Sequence, residues 1–144
     1  MSDRAFAGAK LLPFIGNRLL VVQRDFTPGI VWPGWHDLPG GMREGAESPM
    51  ACALRETREE VGLVLAEDDL RLAHLQDISG RRVWFFAAHL PASHATGVVL
   101  GDEGLGWQLM PPDVFATHPR AIPTFRTILR VYMEKGRERA VPGQ

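Results

Sequence analysis

Cysteine is nearly missing from this chain: Cys52 stands alone among 144 residues, which excludes an internal disulfide and points to a reducing compartment. A buried, inert thiol is its expected state. Tyrosine is as scarce, with Tyr132 the only one. Excess charge is absent too. Sixteen Lys plus Arg face 17 Asp plus Glu, so no bulk field draws the chain to nucleic acid or to a membrane, and any polyanion must be bound locally. There is no long apolar run. The opening MSDRAFAGAKLLPFIGNR has an early acid and a short apolar stretch interrupted by Pro13, which fits neither a secretory signal nor a membrane span. A cytoplasmic protein is therefore expected. The five His residues show no metal-ligand spacing, and only His36, beside a glycine turn, draws notice. Repeats and low-complexity tracts are lacking, and Arg137 to Gln144 reads as a polar, frayed tail.

A hydrophobic content of 45% is enough for one core, so residues 1–144 are expected to form a single domain. Leu11 to Ile15 and Leu19 to Arg24 are apolar β-type runs joined by Gly16-Asn17-Arg18, a hairpin pattern. Phe26 to Trp35 reads as an irregular loop. Leu70 to Ile78 and Arg82 to Leu90 form a second expected pair, and Gly106 to Met110 a further strand. Near the end Phe125, Ile128, Leu129 and Tyr132 line one face of a helix that Thr124 could cap. The result is a mixed α/β chain with two helices.

The densest chemistry lies in GMREGAESPMACALRETREEVGL, Gly41 to Leu63. Ser48 is a good N-cap, Pro49 suits the first helical position, and Gly62 stands where a left-handed C-terminal residue is expected. Met50, Leu54, Thr57 and Val61 make one mostly apolar seam. Glu56, Glu59 and Glu60, at spacings of three and four, become neighbours on a face turned away from that seam, toward solvent or a cleft. Like charges so placed repel, and Arg55 and Arg58 offset only part of it. Hard divalent cations take oxygen ligands, usually carboxylates with substrate phosphate. Mg²⁺ is the expected cofactor, and Mn²⁺ suits the same ligands.

Gly41, Glu47 and the run Arg55-Glu56-Thr57-Arg58-Glu59-Glu60-Val61-Gly62-Leu63 resemble the Nudix box, with every fixed position filled and a soft departure at Thr57, where a bulky aliphatic is usual. Trp35 to Gly41 resembles the stretch that enters the box, and Asp102-Glu103-Gly104 with Trp107 resembles the family's later loop. The resemblance implies the Nudix fold, a mixed β-sheet in an α/β/α sandwich. It implies a pyrophosphohydrolase in which water attacks phosphorus of a nucleoside diphosphate linkage with divalent-metal assistance.

By position in the pattern, Glu59 and Glu60 are expected to be principal metal ligands and Glu56 a ligand or base. Glu103 is expected as an accessory ligand or base and the Gly40 carbonyl as an extra ligand. Which carboxylate is the base stays open, since coupled carboxylates share protons. Gly41, Glu47 and Arg55 are expected to support the loop and helix. Arg24 is a candidate for substrate phosphate, and Trp32 and Trp35 are candidates for stacking a base. A small-molecule nucleotide substrate is expected, a nucleoside triphosphate or modest-sized nucleoside diphosphate derivative by default. Nucleic acid and membrane partners are not expected, and a homodimer is in keeping with the resemblance. The alternative is a catalytically silent nucleotide-binding sensor module; the retention of every carboxylate weighs against it.

Overall fold

The structure, a computed structural model, describes residues 6–140 and the side chains of residues 6–137. The start of the N-terminal stretch (1–5) and the end of the tail (141–144) lie outside the described residues. In chain order the elements are β1 (Phe6–Ile15), β2 (Arg18–Gln23), β3 (His36–Asp37), β4 (Gly40–Met42) and α1 (Pro49–Val61). They continue with β5 (Arg71–Ile78), β6 (Arg81–Leu90), β7 (Gly106–Met110), α2 (Pro112–Thr117) and α3 (Pro123–Ala140).

β1 organises the sheet, whose order is β3-β2-β1-β6-β5, with β4 added to β1 and β7 to β2. It runs parallel to β6 along nearly its whole length but meets β2 only at Phe14↔Leu19 and Ile15↔Arg18. Beyond that short contact its other edge turns to β4, from Lys10↔Gly40 to Gly8↔Met42, and the Leu11 N–H donates to the Pro39 carbonyl at 2.9 Å. Pro13 sits inside β1 without ending it. Its missing N–H would point the same way as that of Leu11, into the gap where β1 and β2 have parted, so no ladder bond is lost.

Two cores lie on opposite faces of the sheet. Leu11 and Ile15 pack with Cys52, Ala53 and Val61 of α1, while Leu12 and Phe14 pack with Phe115 of α2 and Phe125, Ile128 and Leu129 of α3. Helices on both faces explain why β1 and β6 are apolar in unbroken runs rather than in alternation. The α/β/α sandwich expected from the resemblance is the fold observed.

Several expectations shift. The buried face of α1 comprises Pro49, Cys52, Ala53, Thr57 and Val61, while Met50 and Leu54 are only half-buried. The small residues Cys52 and Ala53 allow a close approach to the sheet, which rotates the seam toward them. Thr57 does pack, at 1% exposure, and its hydroxyl finds no partner among the described residues. α3 starts at Pro123, so Thr124 lies inside its first turn and is not the cap; the helix also continues through Arg137 to Ala140, where fraying was expected. The strand that the resemblance places before the glycine turn is β3, whereas nothing in the sequence pattern signals β4 or α2, each of six residues or fewer. Elements this short carry too few residues for periodicity to register.

Candidate active site

α1 begins and ends as its sequence dictates. The Ser48 hydroxyl accepts from the Ala51 N–H at 3.1 Å, Pro49 takes the first position, and Gly62 adopts φ 72°, its N–H returning to the Arg58 carbonyl. The last carbonyls are met from outside the helix. Val99 donates to the Val61 carbonyl at 2.9 Å and Gly101 to that of Glu60 at 2.8 Å, so the loop carrying Asp102 and Glu103 is docked on the C-terminal end of the helix. A side chain on Gly101 would collide with the Glu59 carbonyl, so this docking requires glycine there.

The glycine turn closes over the same helix. Gly40, at φ 145°, donates its N–H to the Glu60 carboxylate at 2.6 Å. A Cβ on Gly40 would run into the backbone of Ala9 and Lys10, and one on Gly41 would lie 2.6 Å from the Glu56 carboxyl carbon. Glu56 and Glu60 are therefore half-buried beneath the turn, and only Glu59 is exposed. The acidic face does turn toward solvent or a cleft as expected: Glu59 is exposed, while Glu56 and Glu60 line a cavity beside the turn that half-covers them. Burial pushes the Glu60 carboxyl up to about 7; the charges of Asp37 and Glu56 add to the rise, and Lys10 and the Gly40 N–H oppose it.

Arg55 knots the arrangement together. Its Nε and Nη2 take both oxygens of Glu47 at 3.0 and 2.8 Å, and Nη2 also donates to the Met42 carbonyl at 2.9 Å. Its Nη1 stands among three carboxylates, 2.9 Å from Glu56, 3.1 Å from Glu59 and 3.2 Å from Glu44. This two-pronged hydrogen bonding from Arg55 holds the Glu47 carboxyl down at about 2 and makes the guanidinium harder still to deprotonate. Cys52 lies beneath, and burial, followed by the nearby Glu47 charge, pushes its thiol up to about 12.

Oxygens of Glu44, Glu56 and Glu59 lie within 4.8 Å of one another. Those three residues, with Glu60, Asp102 and Glu103, line a cavity of about 390 Å³. Glu60 and Glu103 also line a second cavity of about 280 Å³, whose other walls include Arg24, Asp25, Thr27 and Ile30. Sequence reasoning missed Glu44 and Asp102. The signal for Glu44 was its position three residues before Glu47, whose carboxylate accepts its N–H at 2.8 Å.

Arg24 faces the second cavity while donating to Asp37 at 2.9 Å and to the Val31 carbonyl at 2.8 Å. Trp32 and Trp35 lean on each other at 4.6 Å between ring centroids, and neither lines the two cavities. His36 meets His118 edge-on at 4.6 Å, and burial, aided by that neighbour, lowers its pKa. Of Gly40, the group engaged with the carboxylates is the N–H.

With this geometry established, its relatives identify the class. The NUDIX domain pattern matches residues 5–131, and the chain belongs to the Nudix family. It is 32% identical over 127 residues to an uncharacterised Nudix hydrolase of Rhodococcus erythropolis, covering 75% of this chain and 68% of that one. It is 29% identical over 91 residues to the CTP pyrophosphohydrolase of Escherichia coli K12, covering 63% of this chain and 66% of that one, so about two thirds of each relative's length is spanned. Among solved structures, a C. elegans Ap4A hydrolase superposes with a TM-score of 0.71 at 18% identity, covering 91% of this chain and 98% of that one. A MutT protein of Methanosarcina mazei gives 0.71 at 16% identity, with coverage of 94% and 99%, and both attest the fold.

Proposed function

We propose that this chain is a divalent-metal-dependent hydrolase of nucleoside triphosphates or small nucleoside diphosphate derivatives, and that residues 1–144 act as one domain in the cytoplasm. The observation that carries this reading is the pair of adjoining cavities, one lined by six carboxylates and the other walled by Arg24, with Glu60 and Glu103 shared between them. The acidic cavity suits a hard cation, and in the adjoining one Arg24, among Asp25, Asp37, Glu60 and Glu103, offers a planar donor to the anion that such a cation brings with it.

The donor set fits such an ion. Glu44, Glu56 and Glu59 converge as oxygen ligands around a space where the cationic Nη1 of Arg55 already stands. Glu56, Glu59 and Glu60 would hold Mg²⁺ or Mn²⁺, with Glu103 and Gly40 as accessories and Glu44 as an added candidate. When bound, the ion supplies charge neutralisation of the diphosphate and acidification of water. The chain's own groups do the rest. Glu56, Glu59 or Glu103 takes the proton of the attacking water, Arg24 anchors the phosphate chain, and Arg55 with Glu47 keeps the helix acids aimed. Trp32 and Trp35, which line neither cavity, remain candidates for stacking the base. That a relative bears the name CTP pyrophosphohydrolase puts pyrimidine triphosphates among the substrates to try first.

Incubation with nucleoside triphosphates, nucleotide sugars, dinucleotides and ADP-ribose, with Mg²⁺ or Mn²⁺ and product masses recorded, tests the reading. A nucleoside monophosphate product that disappears with chelator supports it. No turnover of any class with either ion would overturn it.

A further inference from the structure

Asp37 closes β3 and is 4% exposed, yet it is a carboxylate serving two cations. Its Oδ1 accepts from Lys10 Nζ at 3.0 Å and from the Leu38 N–H at 2.7 Å, and its Oδ2 accepts from Arg24 Nη1 at 2.9 Å. Lys10 is itself fixed, donating to the Leu38 carbonyl at 3.0 Å and lying 5.4 Å from the centre of the Phe125 ring. A buried ion cluster is seldom retained for stability, since apolar residues of similar volume commonly do as well. Its position suggests another use. β1 and β2 do not pair here, and the chain Lys10–Asp37–Arg24 spans the opening between β1 and the end of β2.

Arg24 is the one cationic side chain among the described residues that line the second cavity, where it stands with Asp25, Asp37, Glu60 and Glu103. Arg24 is gripped at Nη1 by Asp37 and at Nε by the Val31 carbonyl, while its Nη2 makes no hydrogen bond among the described residues. An Arg held at two of its nitrogens, with the N–H groups of the third uncommitted, is preorganised for an anionic oxygen. We infer that Asp37 is a positioning residue for the substrate's phosphate chain: it holds Arg24 against the cavity beside Glu60 and Glu103, and Lys10 ties Asp37 to β1. The inference rests on the hydrolase reading and goes beyond it by assigning to Asp37, a carboxylate in the wall of that cavity, the work of aiming Arg24. With Asp37 neutralised, Arg24 keeps only the Val31 carbonyl, and its guanidinium samples solvent before each encounter.

Steady-state kinetics of Asp37→Asn on the preferred nucleotide tests it. The expected result is a KM raised about tenfold or more with kcat changed less than about threefold. In an Arg24→Ala background, Asp37→Asn should raise KM no further, because both changes remove one interaction. An unchanged KM, or effects that multiply across the two sites, overturns the inference. Circular dichroism checks folding; if Asp37→Asn unfolds, Asp37→Glu, which keeps the charge but displaces the guanidinium, should show the same KM rise. Binding of inorganic tripolyphosphate to wild type and variant separates the two readings. Absent turnover in the wild type counts against the hydrolase, whereas tripolyphosphate bound equally well by both proteins counts against Asp37.

Discussion

The Gly40 N–H and the Glu60 carboxylate meet at 2.6 Å across twenty residues of sequence, joining the glycine turn directly to the acidic helix. Each fixes the other. The turn keeps Glu60 out of water, and the carboxylate satisfies an amide in a conformation that only glycine readily adopts. This confinement lifts the Glu60 carboxyl from its ordinary 4.5 to about 7. A carboxyl shifted that way binds more protons folded than unfolded between those values, so the metal-free protein should lose stability as pH rises from 4.5 to 7 and stay level above. Glu60→Gln should flatten that slope and stabilise the metal-free protein at pH 8 by about 1–3 kcal/mol, while removing most turnover. Urea unfolding at several pH values, beside an activity assay, checks both halves.

Gly41→Ala should fold but misplace a ligand. The added Cβ would meet the movable carboxylate of Glu56 rather than backbone. Metal affinity measured by calorimetry should fall by about tenfold or more with little change in melting temperature, as when a ligand's support is altered. A large drop in melting temperature would show instead that the backbone had yielded.

Arg55 should tolerate no substitute. Its fork binds Glu47 through two nitrogens and reaches Glu44, Glu56 and Glu59 with a third. Arg55→Ala, which leaves a shielded Glu47 without its partner, should cost about 3 kcal/mol in urea unfolding, and Arg55→Lys should recover only part of it. Because the folded-state pKa of Glu47 lies near 2 and its ordinary value at 4.5, its contribution is complete above pH 4.5 and fades as pH falls toward 2. The difference between wild type and Arg55→Ala should shrink over that interval in acid titrations.

Removing divalent ions should abolish turnover and destabilise the fold. Carboxylates crowded around one cavity repel, and an ion that binds only the folded state shifts the melting temperature with its concentration. Thermal melts across a Mg²⁺ series should climb logarithmically beyond the dissociation constant, and a flat series would contradict the assignment of the acidic cavity.

Cys52 should be silent to thiol reagents in the native protein. Its thiol is buried and held protonated to about 12. At pH 8 a chromogenic disulfide should react slowly with folded protein and promptly in urea.

Much of this was written locally. The ends of α1 follow from Ser48, Pro49 and Gly62, because capping is an affair of neighbours in sequence. The strand pairs and α3 follow from their apolar periodicity. Which glutamates would be covered did not follow, since the answer depended on Gly40 and Gly41 folding back from β4 onto the helix. Nor did the depth to which Asp37 is buried, because its partners Lys10 and Arg24 come from separate strands.

The linear order of residues thus determined the family, the helix with its acids, and the type of cation those acids suit, all of which depend on residue types at short, fixed spacing. Only the assembled sheet decided that Glu44 joins Glu56 and Glu59, that Glu60 rests under a glycine amide, and that Arg24 is gripped by Asp37. Charges distant along the chain acquire their partners, and lose their water, only when β1 parts from β2 and the layers close around it.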